Sequence, residues 1–365
     1  ALNIMPYISA SIIMQLMTSV SPKMAALKKE GESGRKLINQ YTRYLTVLIT
    51  TMQAYGIAVG LEGMNSSVGS AVIDPGVFFR FTTVVTLVGG TMFLMWLGEQ
   101  ITARGIGNGI SLIIFSGIVA NLPSAIAGTL ELGRTGALSS LLIVALIIMS
   151  VGVIFFIIFM ERAQRRLIVQ YPKRQQGSKM SGGESSHLPL KLNTAGVIPP
   201  IFASSILLMP ITIIGFSAGS GPEWLSTVAA LLGRGQPLYL AIYVSMIVFF
   251  AFFYTAVVFN PEDTADNLKK HGGFIPGIRP GKNTSQYLDK VLTRLTVVGA
   301  AYLAIVCLLP EILISRFSVP FYFGGTSLLI VVTVTMDTVS QVQSHLLAHQ
   351  YEGLIKKSKL KGRRG

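Results

Sequence analysis

The sequence predicts an all-α, polytopic membrane protein, and three observations carry that expectation. Hydrophobic residues make up 51% of the chain and charged residues 13%, with a mean hydropathy of +0.59; a soluble domain carries about 25% charge. The apolar residues fall in blocks of about 20, the length at which a helix crosses a bilayer. The period-two alternation of a membrane β-barrel is absent. The one cysteine, Cys307, lies inside an apolar block, so there is no disulfide framework and the thiol reads as core.

Taken in order, nine blocks read as spans: residues 2–20, 44–59, 77–97, 110–127, 138–160, 195–216, 237–259, 291–309 and 321–339. Charge orients them. The segments 21–43, 98–109, 161–194 and 260–290 and the tail 346–365 together hold 25 of the 30 lysines and arginines, whereas the alternate loops hold Arg134, Arg234 and Arg316. The positive-inside rule puts the first set in the cytoplasm. An odd number of spans ending in a cytoplasmic tail leaves Ala1 outside with no signal peptide before it, so one further span is expected ahead of Ala1, ten in all. Ten spans divide as five plus five about the short outer loop 121–137, a division compatible with an inverted repeat. The domains expected are an N-terminal half at 1–127, a C-terminal half at 128–345 and a basic cytoplasmic tail at 346–365.

The polar stretch 260–290 carries Lys269, Lys270, Arg279, Lys282 and Lys290. Gly272, Gly273, Pro276, Gly277, Pro280 and Gly281 oppose helix in its middle, through backbone entropy and a missing donor. Residues 274–282 are therefore expected to form an irregular, exposed, basic finger. Phe274, Ile275 and Ile278 place apolar side chains there with no obvious core, which argues against an ordinary solvated charge run; loops this long are functional or disordered.

The short motifs exclude most chemistry. Gly215–Gly219 (GFSAG) matches the G-x-S-x-G nucleophile elbow, but it ends a membrane helix on the outer side, away from His187, His271, His345 and His349. Gly105–Gly109 (GIGNG) follows no strand and reads as a tight turn before the fourth span. No phosphate-binding loop and no H-E-x-x-H metal motif occurs, so neither an ATPase nor a metalloprotease site is expected, and no cofactor. Among the acidic residues only Asp337 lies within an expected span, and Arg80 and Arg294 lie near span ends, within reach of the interface. That pattern argues for a pathway without ion coupling. Ile4 and Ile8, and likewise Ile110 and Ile114, are four apart and share a helix face; from the residues alone, lipid contact or packing against neighbours explains such pairs better than a lining role does. Gln15 and Gln53 are intramembrane amides that need partners and can mark a helix seam. Pro6, Pro199, Pro200 and Pro210 interrupt the first and sixth spans, as happens where backbone lines a cavity.

Six segments then identify a family: LNIMPYISASIIMQL (2–16), KKEGESGRK (28–36), LGEQITARGIGNGIS (97–111), FNPEDTADNLKK (259–270), GIRPG (277–281) and PFYFGGTSLLI (320–330). They closely resemble SecY, the pore subunits of the bacterial protein-conducting channel, in a proteobacterial form, and the resemblance runs from Ala1 into the tail. It implies ten spans in two inverted five-helix halves around a central hourglass pore, of which the first span and the plug segment would precede Ala1.

The resemblance also assigns residues. The family's pore ring falls on Ile4, Ile8, Ile110, Ile114, Ile201 and Ile330. β-branched side chains are stiff at χ1, and an apolar ring gates by dewetting while offering a passing chain no fixed hydrogen bond. The lateral gate, through which an apolar signal sequence would reach lipid, falls between the first two spans and the sixth and seventh of this chain, with Gln15 and Gln53 as seam residues. The loops 161–194 and 260–290 match the surface that docks the SecA motor ATPase and the ribosome, with Arg165, Arg166, Lys173, Arg174, Lys179, Lys269, Lys270, Arg279 and Lys282 as the contact set. Ser178 replaces one of two basic residues frequent in the family. The implied partners are SecE, SecG, SecA, ribosomal RNA and proteins, a secretory or nascent polypeptide with its signal sequence, and anionic lipids. The implied function is a passive polypeptide channel of the bacterial inner membrane, not an enzyme. The alternative from the residues is a secondary transporter of a small molecule, which would need a polar midplane site.

Overall fold

The computed structural model describes residues 2–361 except 64, 67–68, 71, 173–174, 177–178, 181–184, 218–222, 234 and 318–324. In chain order the elements are α1 (Met5–Val20), α2 (Pro22–Lys29), α3 (Glu32–Gly63), β1 (Asn65–Ser66), β2 (Gly69–Ser70), α4 (Val77–Arg104), α5 (Gly109–Ala120), α6 (Leu122–Arg134), α7 (Ser140–Arg162), β3 (Gln164–Gln170), β4 (Gln175–Gln176), β5 (Lys179–Met180), β6 (Ser185–Lys191), α8 (Ile198–Ser217), α9 (Glu223–Leu231), α10 (Pro237–Val258), α11 (Pro261–Lys270), α12 (Lys282–Phe317) and α13 (Gly325–Lys361). The strands form antiparallel pairs β1–β2, β3–β6 and β4–β5. The architecture is that of an all-α, multi-pass membrane protein.

Among the described residues, six helical stretches are long and apolar enough to cross a membrane by length and composition: Glu32–Gly63, Val77–Arg104, Gly109–Arg134, Ser140–Arg162, Pro237–Lys270 and Lys282–Arg316. Met5–Val20 and Ile198–Leu208 are apolar but shorter. The ninth expected span, 321–339, meets α13 from Gly325 onward. Length alone therefore does not return the expected nine. The physical reason is clearest in α1. Ser21 is extended (φ −90°, ψ 121°) ahead of Pro22, as a residue before proline prefers, and α1 stops at 16 residues, about 24 Å of rise.

Three of the four prolines expected to interrupt spans do not. Pro6 lies in the first turn of α1, and Pro199 and Pro200 in the first turn of α8. Amides there have no intrahelical partner, so proline forfeits nothing. Of the four, Pro210 alone lies inside a helix.

The chain forms two compact units, Ala1–Gly128 with Ile213–Gly221 and Ile330–Gly365, and Thr129–Thr212 with Pro222–Leu329. In the first, α3 packs against α1 and α4. α3 carries a buried stripe, Thr42, Thr46, Thr50, Ala54 and Ala58, spaced four apart. Each threonine hydroxyl donates back along its own helix: Thr42 to Ile38 O (2.9 Å), Thr46 to Thr42 O (2.7 Å) and Thr50 to Thr46 O (2.6 Å). The polarity is thereby spent locally and a small-residue surface is left for close helix contact. Ion pairs tie α3 to α4 at both ends of the helix pair, Arg43 to Glu99 (2.6 Å) and Arg80 to Glu62 (2.7 Å). Glu62 also accepts from the Gly76 amide at 3.0 Å, so Arg80 ends on a carboxylate rather than free at the interface.

The GIGNG turn joins α4 to α5 as expected. Gly107 has φ +90°, Asn108 caps α5 through Ile110 N and Ser111 N, and Gly109 N donates to Thr102 Oγ1 at 2.9 Å. Gly107 N also reaches Gln341 Oε1 on α13 at 2.8 Å. A β-carbon on Gly109 would land on the Gly98 carbonyl oxygen. In the second unit α10 packs on α12, and Ile247, Leu303 and Cys307 are fully buried there, which makes the cysteine core as expected.

Gly109→Ala forces α4 and α5 apart and should cost about 1–3 kcal/mol. Gly128→Ala, which meets open space within α6, should be neutral or stabilise by up to about 1 kcal/mol. Thermal unfolding of the detergent-solubilised protein compares the two; equal transition temperatures would contradict the close approach at Gly98.

Candidate functional site

The two polar segments expected to be separate loops build one body. β3 and β6 pair in register, Arg165 opposite Leu190, Leu167 opposite Leu188 and Ile168 opposite His187. Period-two alternation turns Leu167 and Val169 inward, while Arg166, Ile168 and Gln170 are exposed. The segment after α11 then crosses this hairpin. Gln170 N donates to Phe274 O (2.9 Å) and Phe274 N to Gln170 O (3.0 Å). Gly273 permits the crossing, because a β-carbon there would lie 2.9 Å from the Tyr171 ring and 3.2 Å from Val169. Beyond it Ile275 joins Leu167, Val169 and Leu190, together with Leu288, Val291, Leu292 and Leu295 from the first turns of α12. Ile278, Leu268 and Tyr287 pack around the edge.

One expectation for 260–290 holds: residues 274–281 belong to no helix or strand. Two others do not. The flanks of the finger are not loop, since residues 261–270 are helix and α12 starts at Lys282, well ahead of the span expected from 291. Nor do its apolar residues lack a core. Their core is the hairpin, which precedes them by a whole pair of spans and is invisible in the local sequence.

Capping explains α11. Asn260 Oδ1 accepts from Glu262 N at 3.0 Å. Glu262 and Asp263 occupy the first turn, Lys269 and Lys270 the last, each charge on the favourable end of the helix dipole. Gly272, Gly277 and Gly281 take positive φ (74°, 82° and 103°) at the bends that follow. Between them the turn bearing Arg279 is pinned twice. Ile278 N donates to Ile275 O at 3.1 Å, and the hydroxyl of Thr284, 2% exposed, donates to Arg279 O at 2.9 Å.

The structure thus gathers part of the expected docking set on one folded body. Arg165 and Arg166 are exposed on β3, Lys269 and Lys270 at the end of α11, Arg279 on its pinned turn and Lys282 at the start of α12. Lys173 and Arg174 lie outside the described residues. Lys179 falls in β5, with only its backbone described.

Of the isoleucines, Ile4 and Ile8 occupy successive turns at the start of α1, joined by Ile8 N to Ile4 O at 3.2 Å, and both are buried. Ile110 and Ile114 lie half-buried on α5, Ile330 is buried on α13, and Ile201 is half-buried on α8 in the other unit. Two contacts bring α1 to α4 and α5. Thr91 Oγ1 donates to Asn3 O at 3.4 Å, and Asn3 Nδ2 lies 3.2 Å from where a Gly117 β-carbon would stand. Gly117 follows Ile110 and Ile114 on one helix face, so the start of α1 reaches the face of α5 that carries them. Gln15 and Gln53 are half-buried on α1 and α3. The Gln15 side-chain oxygen is buried without a hydrogen-bond partner among the described residues, so the partner expected for it is not found there. The nucleophile-elbow match ends α8 and runs beyond the described residues. Sequence reasoning missed Thr284, and also Glu161, which accepts from Asn193 and Tyr302. A carboxylate just past a span end reads as solvated until its neighbours are known.

A family model described as SecY matches residues 1–339. The chain belongs to the SecY family. The protein translocase subunit SecY of Escherichia coli (strain K12) is 59% identical over 363 residues, 99% of this chain and 82% of that relative. The protein translocase subunit SecY of Rickettsia typhi is 59% identical over 361 residues, 99% of this chain and 83% of the relative. Solved structures share the fold. A SecY whose plug domain stabilises the closed state of its translocation channel matches with TM-score 0.67 at 18% identity, over 94% of this chain and 82% of that one. Sec61 in the canine ribosome-channel complex matches with TM-score 0.59 at 17% identity, over 94% of this chain and 80% of that one.

In this SecY-family chain Leu288 is a fully buried member of the cluster. Leu288→Ala should cost the body about 2–5 kcal/mol. Limited proteolysis should then cut within 164–191 or 271–281 at least about tenfold faster, since 1.4 kcal/mol is a factor of ten, while the spans stay intact. Unchanged cleavage would mean that the cluster does not hold the two segments.

Proposed function

We propose that this chain is the protein-conducting subunit of a bacterial inner-membrane translocase, passing unfolded secretory polypeptides across and releasing apolar segments sideways into lipid. The observation that carries the reading is the 59% identity to translocase SecY over 99% of the chain. The role is that of a channel rather than a catalyst. The small-molecule transporter kept as an alternative has no support from the comparisons.

In this reading Ile4, Ile8, Ile110, Ile114, Ile201 and Ile330 form a constriction between two inverted halves, 1–127 and 128–345. An aliphatic ring excludes water and ions when empty, and it binds no backbone amide strongly when a polypeptide passes. The approach of Asn3 to Gly117 supports the part of the ring drawn from α1 and α5. The Gln15 oxygen, without a hydrogen-bond partner among the described residues, suits a seam that opens, with Gln53 on the neighbouring helix.

The basic body would face the cytoplasm with the C-terminal tail, and would receive the SecA motor or the ribosome. The structures of Sec61 and yeast Ssh1 bound to ribosomes support that orientation by analogy of fold. Contacts from Arg165, Arg166, Lys269, Lys270, Arg279, Lys282, Lys173, Arg174 and Lys179 to ribosomal RNA would weaken steeply with salt, because phosphate contacts release counterions. SecE, SecG and anionic lipids complete the proposed assembly.

A translocating chain arrested in the channel should cross-link to single cysteines at positions 8, 114 and 330, and not to one at 148, where Ile148 is exposed on α7. Equal cross-linking at 148 would contradict the pore. Arg279→Lys should slow motor-driven translocation more than Lys282→Ala does at low salt and matched expression, because a guanidinium makes forked contacts that an ammonium cannot. Arg279→Lys at the parental rate would reduce the site to a diffuse positive field.

A further inference from the structure

The hairpin is not hung loosely on the membrane helices. Leu192 N donates to Ala163 O at 3.0 Å and closes its stem. Just below, Glu161 Oε1, at the end of α7, accepts from Asn193 Nδ2 at 2.7 Å and from the Tyr302 hydroxyl at 3.4 Å. The same Asn193 amide group donates to Gly196 O at 3.1 Å. Asn193 is 5% exposed. Tyr302 is buried in α12 with its ring edge-on to Phe156 of α7, centroids 5.7 Å apart. α12 approaches the stem backbone directly at Gly299, where a β-carbon would stand 3.0 Å from Leu192 O and 3.5 Å from Asn193 Cα. Four segments therefore meet at one polar knot: the end of α7, the hairpin stem, the turn that enters α8, and the middle of α12.

The chemistry suits a rigid joint. A carboxylate is acceptor-only, and an amide nitrogen offers two hydrogens in a fixed plane. Asn193 places one on Glu161 and the other on Gly196, so its side chain fixes the angle between the hairpin exit and the residues that lead into α8. Gly196 takes φ +65°, a bend that other residues adopt with strain. Pro199 and Pro200 then lock φ in the first turn of α8. A tilt of the hairpin about its stem has no slack segment in which to dissipate before it reaches that turn, and Ile201 follows directly.

We propose that Asn193 and Glu161 are positioning residues that transmit partner docking on the basic hairpin to α8, and so to the position of Ile201. The proposal rests on the channel reading above, in which Ile201 belongs to the constriction. Neither residue touches the docked partner or the passing chain; both act through the backbone of α8. Tyr302 supports Glu161 from the far side, and Gly299 keeps α12 close enough for it to do so.

The test uses the assembled translocase carrying this chain, in proteoliposomes, with the motor partner and a signal-sequence-bearing substrate. Folded channel per vesicle, motor affinity and translocation rate are measured for Asn193→Ala, Glu161→Ala and Glu161→Gln. Both alanine variants should bind the motor within about twofold of the parent while translocating about tenfold more slowly per folded channel, a loss within the usual range of a coupling free energy. Glu161→Gln keeps an acceptor oxygen for Asn193 and should return most of the rate. A purely structural role predicts instead fewer folded channels with normal transport by each, and that result overturns the proposal. So does binding that falls in step with transport, or a glutamine variant as slow as the alanine one. If the parent itself moves no polypeptide, the channel reading fails and the coupling is not at issue.

Discussion

The burial of Ile275 and Leu288 against Leu167, Val169 and Leu190 is the contact on which the polar side of this molecule depends. Two segments far apart in the chain, each too short and too polar to fold by itself, share one apolar core. A fully buried leucine or isoleucine contributes about 1.5–3 kcal/mol, and eight buried residues take part. Without that core, Arg165 and Arg166 on the hairpin and Arg279 on the finger would sit on independent tethers. With it they become one charged surface whose shape a partner can read. The Gln170–Phe274 bridge and the glycine crossing at Gly273 set the register of that surface; the apolar cluster supplies its stability.

Within the membrane-spanning helices the constraint is different. Hydrocarbon offers backbone groups no partner, so helices must satisfy themselves, and polar side chains must be paid off locally. The threonines of α3 do this by donating four residues back. Arg43, Glu62, Arg80 and Glu99 do it by pairing across α3 and α4. The Glu161–Asn193–Tyr302 knot belongs to the same class, with the difference that it joins a membrane helix to the polar body. A channel that must open needs parts that move as units, and local satisfaction of this kind keeps each unit whole while it moves.

Much of this was legible in the residues. Apolar blocks near the length of a bilayer marked the helices, because composition and length are the membrane's own requirements. The GIGNG turn and the buried Cys307 followed from local chemistry. What escaped was whatever depends on a distant partner. Phe274, Ile275 and Ile278 looked coreless because their core lies in 164–191. Glu161 gave no signal because Asn193 and Tyr302 are remote in sequence. Pro6, Pro199 and Pro200 read as interruptions in the sequence, yet each stands in a first turn, a distinction set by where the helix begins, which an apolar block does not mark. The isoleucines were ambiguous for a further reason: a four-residue spacing defines a face but not what that face meets.

Hydrogen exchange on the full chain in a lipid bilayer tests most directly whether the two polar segments are one folded body. The shared core predicts that the amides of Leu167, Val169 and Gln170 in β3, of Leu188 and Leu190 in β6, and of Phe274 and Ile278 in the finger are protected to a similar degree, and that all lose protection together when one side of the cluster is truncated. Finger amides exchanging at the rate of an unstructured peptide while the hairpin stays protected would contradict it.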